Sequence, residues 1–316
     1  MSIDINGNKY NIVGELGKGG NGQVFKVKKE NDEIMYAIKK IAISNLSEDE
    51  VEQIENESKI LASINDENIV QYYDSSKDSS SFYILMEYCE GSDLKKFINE
   101  HKKQNKLIEE KIIYKIVSNL CLGIKAIHDK NLIHRDLKPE NIFISENFSI
   151  KIGDFGISKQ LSVNEEYAVT SIGTSKYMAP EVIKGEKYNN KVDIWALGCI
   201  IYELFTLNVC FDSKSLLGFV DIIIKKKHGT INLQKYNPNW QKLIDLLLSK
   251  EYKKRPNITK VINLIDSFFG NIFNKPINLK KLTSTEVKGL SEEGFDRLHL
   301  NGKKNIYYIY YITLSI

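Results

Sequence analysis

The chain has 316 residues, 42% hydrophobic and 27% charged, and its 44 Lys and Arg against 41 Asp and Glu leave a net charge of +3. That composition excludes a disordered or collagen-like chain, and the near balance of charge argues against nucleic acid or an acidic membrane as the partner. No apolar run reaches the ~18 residues of a membrane span, and "MSIDINGNKYNIV" has no basic stretch leading into an apolar one, so no secretory signal is expected.

Residues 10–86 read mostly as strand. "YNIVGELG" and "GQVFKVKKE" are rich in β-branched and aromatic residues around a run of glycines, which predicts a hairpin, and "IMYAIKKI" (Ile34–Ile41) predicts a third strand. The period then changes. Ser47 with Glu50 three residues later forms a capping-box signature, and Val51, Ile54, Leu61 and Ile64 follow at helical spacing. "NIVQYYD" and "FYILMEYC" predict two more strands, with "DSSKDSSS" at 74–81 as the turn before the second. From Gly91 onward the pattern is helical. Glu109–Lys130 repeats apolar residues every three or four positions, and Val192–Leu207 is apolar nearly all round, the mark of a helix buried on every side. Further helical patterns lie at 213–226, 239–249 and 258–269. A small β-rich lobe therefore precedes a larger helical one, and the cleft at their joint, near Glu87–Gly91, is the expected ligand site.

Beyond about residue 271 the pattern stops. A polar stretch leads to "IYYIYYITLSI" (Ile306–Ile316), which is expected to pack back onto the domain, since exposed it would be an aggregation hazard. Cys89, Cys121, Cys199 and Cys210 are widely spaced with no CxxC, so reduced thiols in an intracellular compartment are expected, without a zinc site or disulfide framework.

Four stretches carry chemistry. "GKGGNGQV" (Gly17–Val24) places Gly17, Gly19 and Gly22 so that backbone N–H groups can approach phosphate oxygens. These glycines lead into a strand and not a helix, which disfavours a dinucleotide fold. Lys39 ends an apolar strand, and Glu57 lies on the inward stripe of the capped helix, where a carboxylate calls for a cation; Lys39 is the candidate. Glu55 falls off that stripe. "NLIHRDLKPENIFIS" (Asn131–Ser145) crowds Arg135, Asp136, Lys138 and Asn141 between apolar "LI" and "IFI", as a loop held between two short strands would. "KIGDFG" (Lys151–Gly156) follows after a hairpin-length interval.

In this order, and together with "MAPE" (Met178–Glu181), these elements resemble the eukaryotic protein kinases over about Tyr10–Phe269. The resemblance implies an α+β, bilobal protein-kinase fold: a small N-lobe of a five-stranded antiparallel sheet plus one main helix, and a larger, mainly helical C-lobe. It places an N-terminal extension at 1–9 and the kinase domain at 10–270, with N-lobe 10–86, hinge 87–91 and C-lobe 92–270, then a tail of unknown role at 271–316. The implied cofactors are ATP and Mg²⁺, with Mn²⁺ as a substitute, and the implied partners are protein substrates with Ser or Thr acceptors.

Family roles carry over position by position. Gly17, Lys18, Gly19, Gly20, Asn21 and Gly22 would cover the phosphates, and Lys39, oriented by Glu57, would neutralise them. Val24 and Ala37 would flank the adenine. Met86 is at the gatekeeper position, Glu87 and Cys89 offer backbone hydrogen bonds, and Asp93 suits the ribose. Asp136 is the implied catalytic base, Lys138 a cation for the moving phosphate, and Asn141 and Asp154 the metal ligands. His134 and Phe155, with Leu61, match an apolar stack linking the lobes. Asp193 matches the residue that holds the catalytic loop, and Glu181 with Arg255 a buried ion pair. Lys138, and "GTSKYMAPE" with Thr174, resemble Ser/Thr rather than Tyr kinases. Arg135 resembles a receptor for an activation-loop phosphate, with Thr170 the expected main site and Ser171 second.

"EYCEGSDLKKFI", "GDFGISKQL" and "YNNKVDIWALGCIIYEL" look most like the NIMA-related group, although "LLSKEYKKRPN" is also seen in kinases of the translation initiation factor 2 alpha subunit. Lys176 departs from the aromatic residue usual in the NIMA-related group, and Ile157 resembles kinases that prefer Thr acceptors. The alternative is a pseudokinase-like scaffold that binds nucleotide and partners; loss of Lys39, Asp136, Asn141 or Asp154 would be its signature, and all are present. A small-molecule phosphotransferase is disfavoured by "GTSKYMAPE".

Overall fold

The computed structural model describes residues 2–19, 22–30, 32–145, 147–154, 175–213 and 215–273. Residues 1–265 form one compact unit and 266–316 a second.

The first unit opens with an antiparallel sheet: β1 (Ser2–Ile5), β2 (Asn8–Gly19), β3 (Gly22–Lys29), β4 (Met35–Ala42), β5 (Tyr72–Lys77) and β6 (Ser81–Glu87), in the order β1-β2-β3-β4-β6-β5. It has six strands where five were expected, because the N-terminal extension folds back as β1. Asn6 and Gly7, with φ of 50° and 83°, turn the chain so that Ile5 faces Asn8, the Asn-Gly hairpin signal. β1 also reaches the far edge of the sheet. Asn6 Nδ2 donates to Asp74 Oδ1 at 3.1 Å and to the Ser75 carbonyl at 3.2 Å, and Ser76 Oγ donates to the Asp4 carbonyl at 3.3 Å. Side-chain bonds thus tie the two edge strands to each other. Strand alternation sends Ile5, Tyr10, Val27, Ile38 and Leu85 into one cluster, while Ala37 and Met86 pack with Val70 in another.

Helix α1 (Glu48–Ala62) begins at Ser47 with the full capping box, Ser47 Oγ accepting from Glu50 N and Glu50 Oε2 from Ser47 N. Glu48, Asp49 and Glu50 place negative charge at its positive end. Its buried side chains are Ile54, Glu57, Ser58 and Leu61, and it packs on β5. Glu55 lies off this stripe and pairs with Lys77 at 2.5 Å.

The second lobe is built from α2 (Leu94–Lys103), α3 (Glu110–Asp129), α4 (Pro180–Ile183), α5 (Lys191–Thr206), α6 (Leu216–Lys225), α7 (Asn239–Leu247) and α8 (Ile258–Ile265). α5 is buried on all sides, as its continuous apolar sequence implied, and α3 packs its Ile, Val and Leu stripe against α8, α5 and a small sheet. That sheet is β7 (Ser92–Asp93), β8 (Ile142–Ile144) and β9 (Ile150–Ile152), in that order. The two lobes are joined by main chain: Val70 N donates to the Ile152 carbonyl at 2.9 Å and Ile152 N to the Asn68 carbonyl at 2.8 Å. Of the two strands expected around the polar loop, "IFI" forms β8, but Leu132 and Ile133 form none. The N-terminal half of the loop is held by side chains instead.

The described part of the second unit is a π-helical turn, Asp266–Gly270, and a short helix α9 (Asn271–Phe273), with the Phe269 ring meeting those of Phe268 and Phe273. No helix among the described residues is long and apolar enough to cross a membrane. Ile306–Ile316 lies outside the described residues.

Candidate active site

Asp193, near the start of α5, organises the polar loop. Its Oδ2 accepts from the His134 N–H at 2.9 Å and lies 2.8 Å from His128 Nε2, while its Oδ1 accepts from the Arg135 N–H at 3.1 Å. Burial alone would raise the Asp193 pKa, but the His128 hydrogen bond and charge and the neighbouring His134 outweigh it and hold the carboxyl below its ordinary range. Those two main-chain bonds supply what a strand ladder would have given, and they support Arg135 in a left-handed conformation, φ 65°. Sequence reasoning missed His128. Its signal was a polar residue on the inward stripe of α3 beside Ile124 and Ile127.

His134 is fully buried and kept neutral, because burial lowers its pKa more than the nearby Asp193 and Asp136 raise it. Its Nε2 lies 3.1 Å from the Gly153 carbonyl, and its Nδ1 accepts from the Asp136 N–H at 3.3 Å. One neutral tautomer, protonated on Nε2, satisfies both contacts. The imidazole thereby ties the "HRD" loop to Gly153. Leu61 is buried as expected; Phe155 lies outside the described residues.

The next turn brings the candidate catalytic groups together. A single turn of 3₁₀ helix, Pro139–Asn141, swings Asn141 back toward Asp136. Lys138 Nζ donates to Asp136 Oδ2 at 2.8 Å, and Asn141 Nδ2 donates to the same oxygen at 3.1 Å and to the Asp136 carbonyl at 2.9 Å. Asn141 Nδ2 is also 3.3 Å from the Asp154 carbonyl, linking the two loops. Asp154 sits in a left-handed conformation, φ 51°, and its Oδ1 pairs with Lys39 Nζ.

The expected Lys39–Glu57 pair is not formed. Lys39, 3% exposed at its side chain, is engaged by Asp154, while Glu57 Oε1 accepts from Arg135 Nη1 at 3.3 Å. Glu57 does lie on the inward face of α1. Burial raises its pKa and the Arg135 guanidinium opposes that rise. The physical expectation that an inward carboxylate needs a cation holds, but the cation comes from the loop 78 residues away.

Beside these groups lies an apolar cluster. Ala37, Val70 and Met86 form its buried part, with Val24, Cys89 and Phe143 packed against them. Val70 and Phe143 were not identified from sequence, since neither stands in a polar motif. Gly153 lets Phe143 and Val70 pack closely against the main chain: a Cβ there would lie 2.8 Å from the Phe143 ring and 2.9 Å from Val70 Cγ2. Gly22, φ 116°, is required by a different contact, because a Cβ would lie 2.3 Å from the Lys40 carbonyl. Gly17, Lys18 and Gly19 belong to β2, whereas Gly20 and Asn21 lie outside the described residues.

At the joint, Glu87 N donates to the Gln71 carbonyl at 2.8 Å, and the Glu87 side chain is held by Lys151 Nζ at 3.0 Å. Burial and then the Glu87 carboxylate push the Cys89 thiol up to about 12, so it is not a reactive thiolate. Asp93 caps α2 by accepting from Lys96 N at 2.8 Å and pairs with Lys96 Nζ at 2.9 Å. Its carboxylate already has two partners, which sequence motifs did not reveal. Glu181 and Arg255 form a bidentate pair, 2.6 and 2.8 Å, with Arg255 packed 5.0 Å from the Trp195 ring. Thr170, Ser171 and Thr174 lie outside the described residues.

A polar loop pinned to a buried aspartate, a Lys39–Asp154 pair and an apolar cluster beside them are arranged as in the protein kinase domain, and the model of that domain matches residues 10–265. The chain belongs to the protein kinase family. Among curated proteins it is similar to the probable serine/threonine-protein kinase nek2 of Dictyostelium discoideum, 37% identical over 260 residues, which are 80% of this chain and 62% of that protein. It is also similar to serine/threonine-protein kinase Nek1 of Mus musculus, 37% identical over 254 residues, 80% of this chain and 21% of that one, and to Nek5 of Homo sapiens, 35% over 255 residues, 80% and 36%. The chain spans less than two thirds of the length of each of these relatives.

Proposed function

We propose that the chain is an ATP-dependent serine/threonine protein kinase of the NIMA-related type. The convergence of Lys138 and Asn141 on one oxygen of Asp136 carries the reading. It fixes a carboxylate beside a cation, the arrangement that orients an acceptor hydroxyl and offsets charge on a phosphoryl group in flight. Asp136 takes up the hydroxyl proton as that oxygen bonds to the γ-phosphorus of ATP and the bond from that phosphorus to the bridging oxygen breaks, ADP leaving with the electron pair; Lys138 faces the transferring group.

The residues fit ATP and Mg²⁺. The apolar side chains of Val24, Ala37, Val70, Met86 and Phe143 suit contact with a flat apolar ring. Among the described residues there is no cluster of three or more His, Cys, Asp and Glu able to hold a metal alone. Asn141 and Asp154 are two oxygen donors of the hard type Mg²⁺ takes alongside water and phosphate, and Mn²⁺ accepts the same set. When bound, the cation supplies charge neutralisation at the phosphates. Glu87 and Cys89 offer main-chain groups to adenine; Asp93 reaches a ribose only by sharing its carboxylate with the α2 cap.

The Glu57–Arg135 pair supports control by loop phosphorylation. A phosphate on Thr170, or on Ser171, attracts Arg135 as a charge-assisted bidentate partner. Glu57 is then released to Lys39, and Asp154 to metal. Thr174 is the loop residue proposed to meet Asp136.

Transfer from radiolabelled ATP with Mg²⁺ to generic protein substrates tests the reading, with Asp136→Asn as control. Transfer is expected to fall by about 10²–10⁴-fold in that variant while ATP binding persists. ATP binding without Asp136-dependent transfer would leave a nucleotide-binding scaffold. Thr170→Ala is expected to lower activity and abolish its activation by phosphorylation; full activity with an unphosphorylated loop would refute the switch.

A further inference from the structure

Helix α5 ends at Leu207, which takes a left-handed conformation, φ 56°, its N–H donating to the Glu203 carbonyl at 2.7 Å. That turn sends the chain back along the helix it has just left. The Phe211 ring stacks on Trp195 of α5, with centroids 5.5 Å apart and planes at 8°. Beyond the stack the returning loop is tied down by Asp212, whose carboxylate holds Lys176 at 2.9 Å. Trp195 and Cys199 are four residues apart on α5 and share a face, and Cys210 directly precedes Phe211. The stack therefore sets Cys210 against Cys199, and the two thiols are in hydrogen-bond contact. Cys199 is completely buried, whereas Cys210 is half-buried.

A lysine meets the same pair. Lys250 follows α7 and lies over both rings, its Nζ 4.4 Å from the Phe211 centroid and 4.9 Å from that of Trp195. The same Nζ donates to the Ile223 carbonyl, and its charge acts on both sulfurs. Burial brings the Lys250 pKa down to about 8, so near neutral pH the group gives up and takes up a proton readily. Burial first, and then the hydrogen bond from Cys210, hold the Cys199 thiol well above its ordinary range. Cys199 is thus a poor first nucleophile. Cys210 is the sulfur that solvent reaches, and an ammonium stands beside it.

We propose that Cys199 and Cys210 are a dithiol that hydroperoxides oxidise to an intramolecular disulfide, with Lys250 as the proton carrier. The Cys210 thiolate attacks one oxygen of hydrogen peroxide. The O–O bond breaks, and the departing hydroxide leaves as water with a proton from the Lys250 ammonium. The Lys250 amine then takes the Cys199 proton as that sulfur attacks the sulfur of the Cys210 sulfenic acid. The S–O bond breaks, the S–S bond forms, and the second hydroxide leaves as water with the same proton. Each sulfur gives up one electron, and the peroxide is reduced to two waters. This chemistry goes beyond phosphoryl transfer and does not rest on it.

The test exposes the full chain, first reduced, to hydrogen peroxide and follows it by peptide mass spectrometry without reductant. Cleavage after Glu203 and Lys214 leaves the two cysteines on separate peptides, which stay joined only through the disulfide. Joined peptides that dithiothreitol separates are expected, formed about tenfold faster in the native chain than in urea, because the fold holds the sulfurs together. In Cys199→Ser, Cys210 is expected to accumulate as a sulfenic acid that dimedone traps; in Cys210→Ser, Cys199 is expected to stay reduced. Lys250→Met is expected to slow the joining by about 10²-fold, the low end for a lost proton carrier. Cys89 and Cys121 serve as controls and are expected to stay reduced throughout. Peptides that never join, joining no faster than in urea, or equal oxidation of Cys89 and Cys121 overturns the dithiol. An unchanged rate in Lys250→Met overturns the role given to the lysine. Should a variant fail to fold, the wild-type comparison between native buffer and urea decides alone.

Discussion

Asp193 and His134 hold the active loop with hydrogen bonds that need both groups in one protonation state. Asp193 must be ionised to accept from two main-chain N–H groups and His128, and His134 must be neutral to accept from Asp136 N while facing the Gly153 carbonyl. The second requirement has a pH signature. Burial lowers the His134 pKa from its ordinary 6.5, so the unfolded chain binds this proton more readily than the folded one. The stability it contributes is complete above about pH 6.5 and drains away as pH falls below that value. Urea unfolding between pH 7.5 and 5 is expected to show stability falling on acidification. In His134→Phe the slope is shallower by up to about 1.4 kcal/mol per pH unit, the share of one proton. His228, also lowered by burial, keeps part of the slope in both proteins. Asp136, Lys138, Asn141 and Asp154 could each be put forward from the sequence because the chemistry proposed for them demands fixed residue types at fixed spacing, and the structure brings them together. Val70 and Phe143 could not, because an apolar cluster can be built from any apolar side chains that the fold brings together.

Strand β1 and helix α1 show two kinds of element boundary. The α1 start was written in Ser47 and Glu50, whose reciprocal bonds are local and need no tertiary partner. β1 was just as local in its turn, Asn6-Gly7, but four residues are too few for a pattern to stand out. What makes it a strand is the rest of the sheet. Ile5, fully buried, enters the cluster of Val27, Ile38 and Leu85, and Asn6 and Asp4 bond across to the opposite edge. Ile5→Ala is therefore expected to cost about 2–5 kcal/mol in chemical denaturation, the range for a buried isoleucine truncated to alanine. Ile3→Ala, only partly buried on the same strand, is expected to cost less. An Ile5→Ala protein as stable as wild type would show that β1 contributes no packing. The missing "LI" strand has the complementary cause. Leu132 and Ile133 have strand-like side chains, but the main chain ahead of Asp136 turns left-handed at Asn131 and Arg135, and its donors go to Asp193.

Long-range ion pairs fix the larger lobe and set the state of the cleft. Glu181 and Arg255 meet across 74 residues in a fully buried bidentate pair, and the Lys191 ammonium caps the Arg255 carbonyl at 2.6 Å. Losing one partner strands a buried charge. Arg255→Ala is expected to lower stability by about 3–5 kcal/mol, whereas Glu181→Leu with Arg255→Met, which removes both charges, is expected to recover most of that loss. Thermal and urea unfolding of the three proteins decides it; an additive double variant would rule out the pair as a coupled unit. Sequence alone determined the two-lobe division, the inward face of Glu57 and the choice of candidate catalytic residues, since propensity, periodicity and reactive groups are local properties of the chain. Only the tertiary structure decided which charges meet. Lys39 pairs with Asp154 and not Glu57, Glu57 with Arg135, and Glu203 with Lys95, because each buried charge takes whichever opposite charge folding carries within reach, and that distance is written nowhere in the sequence.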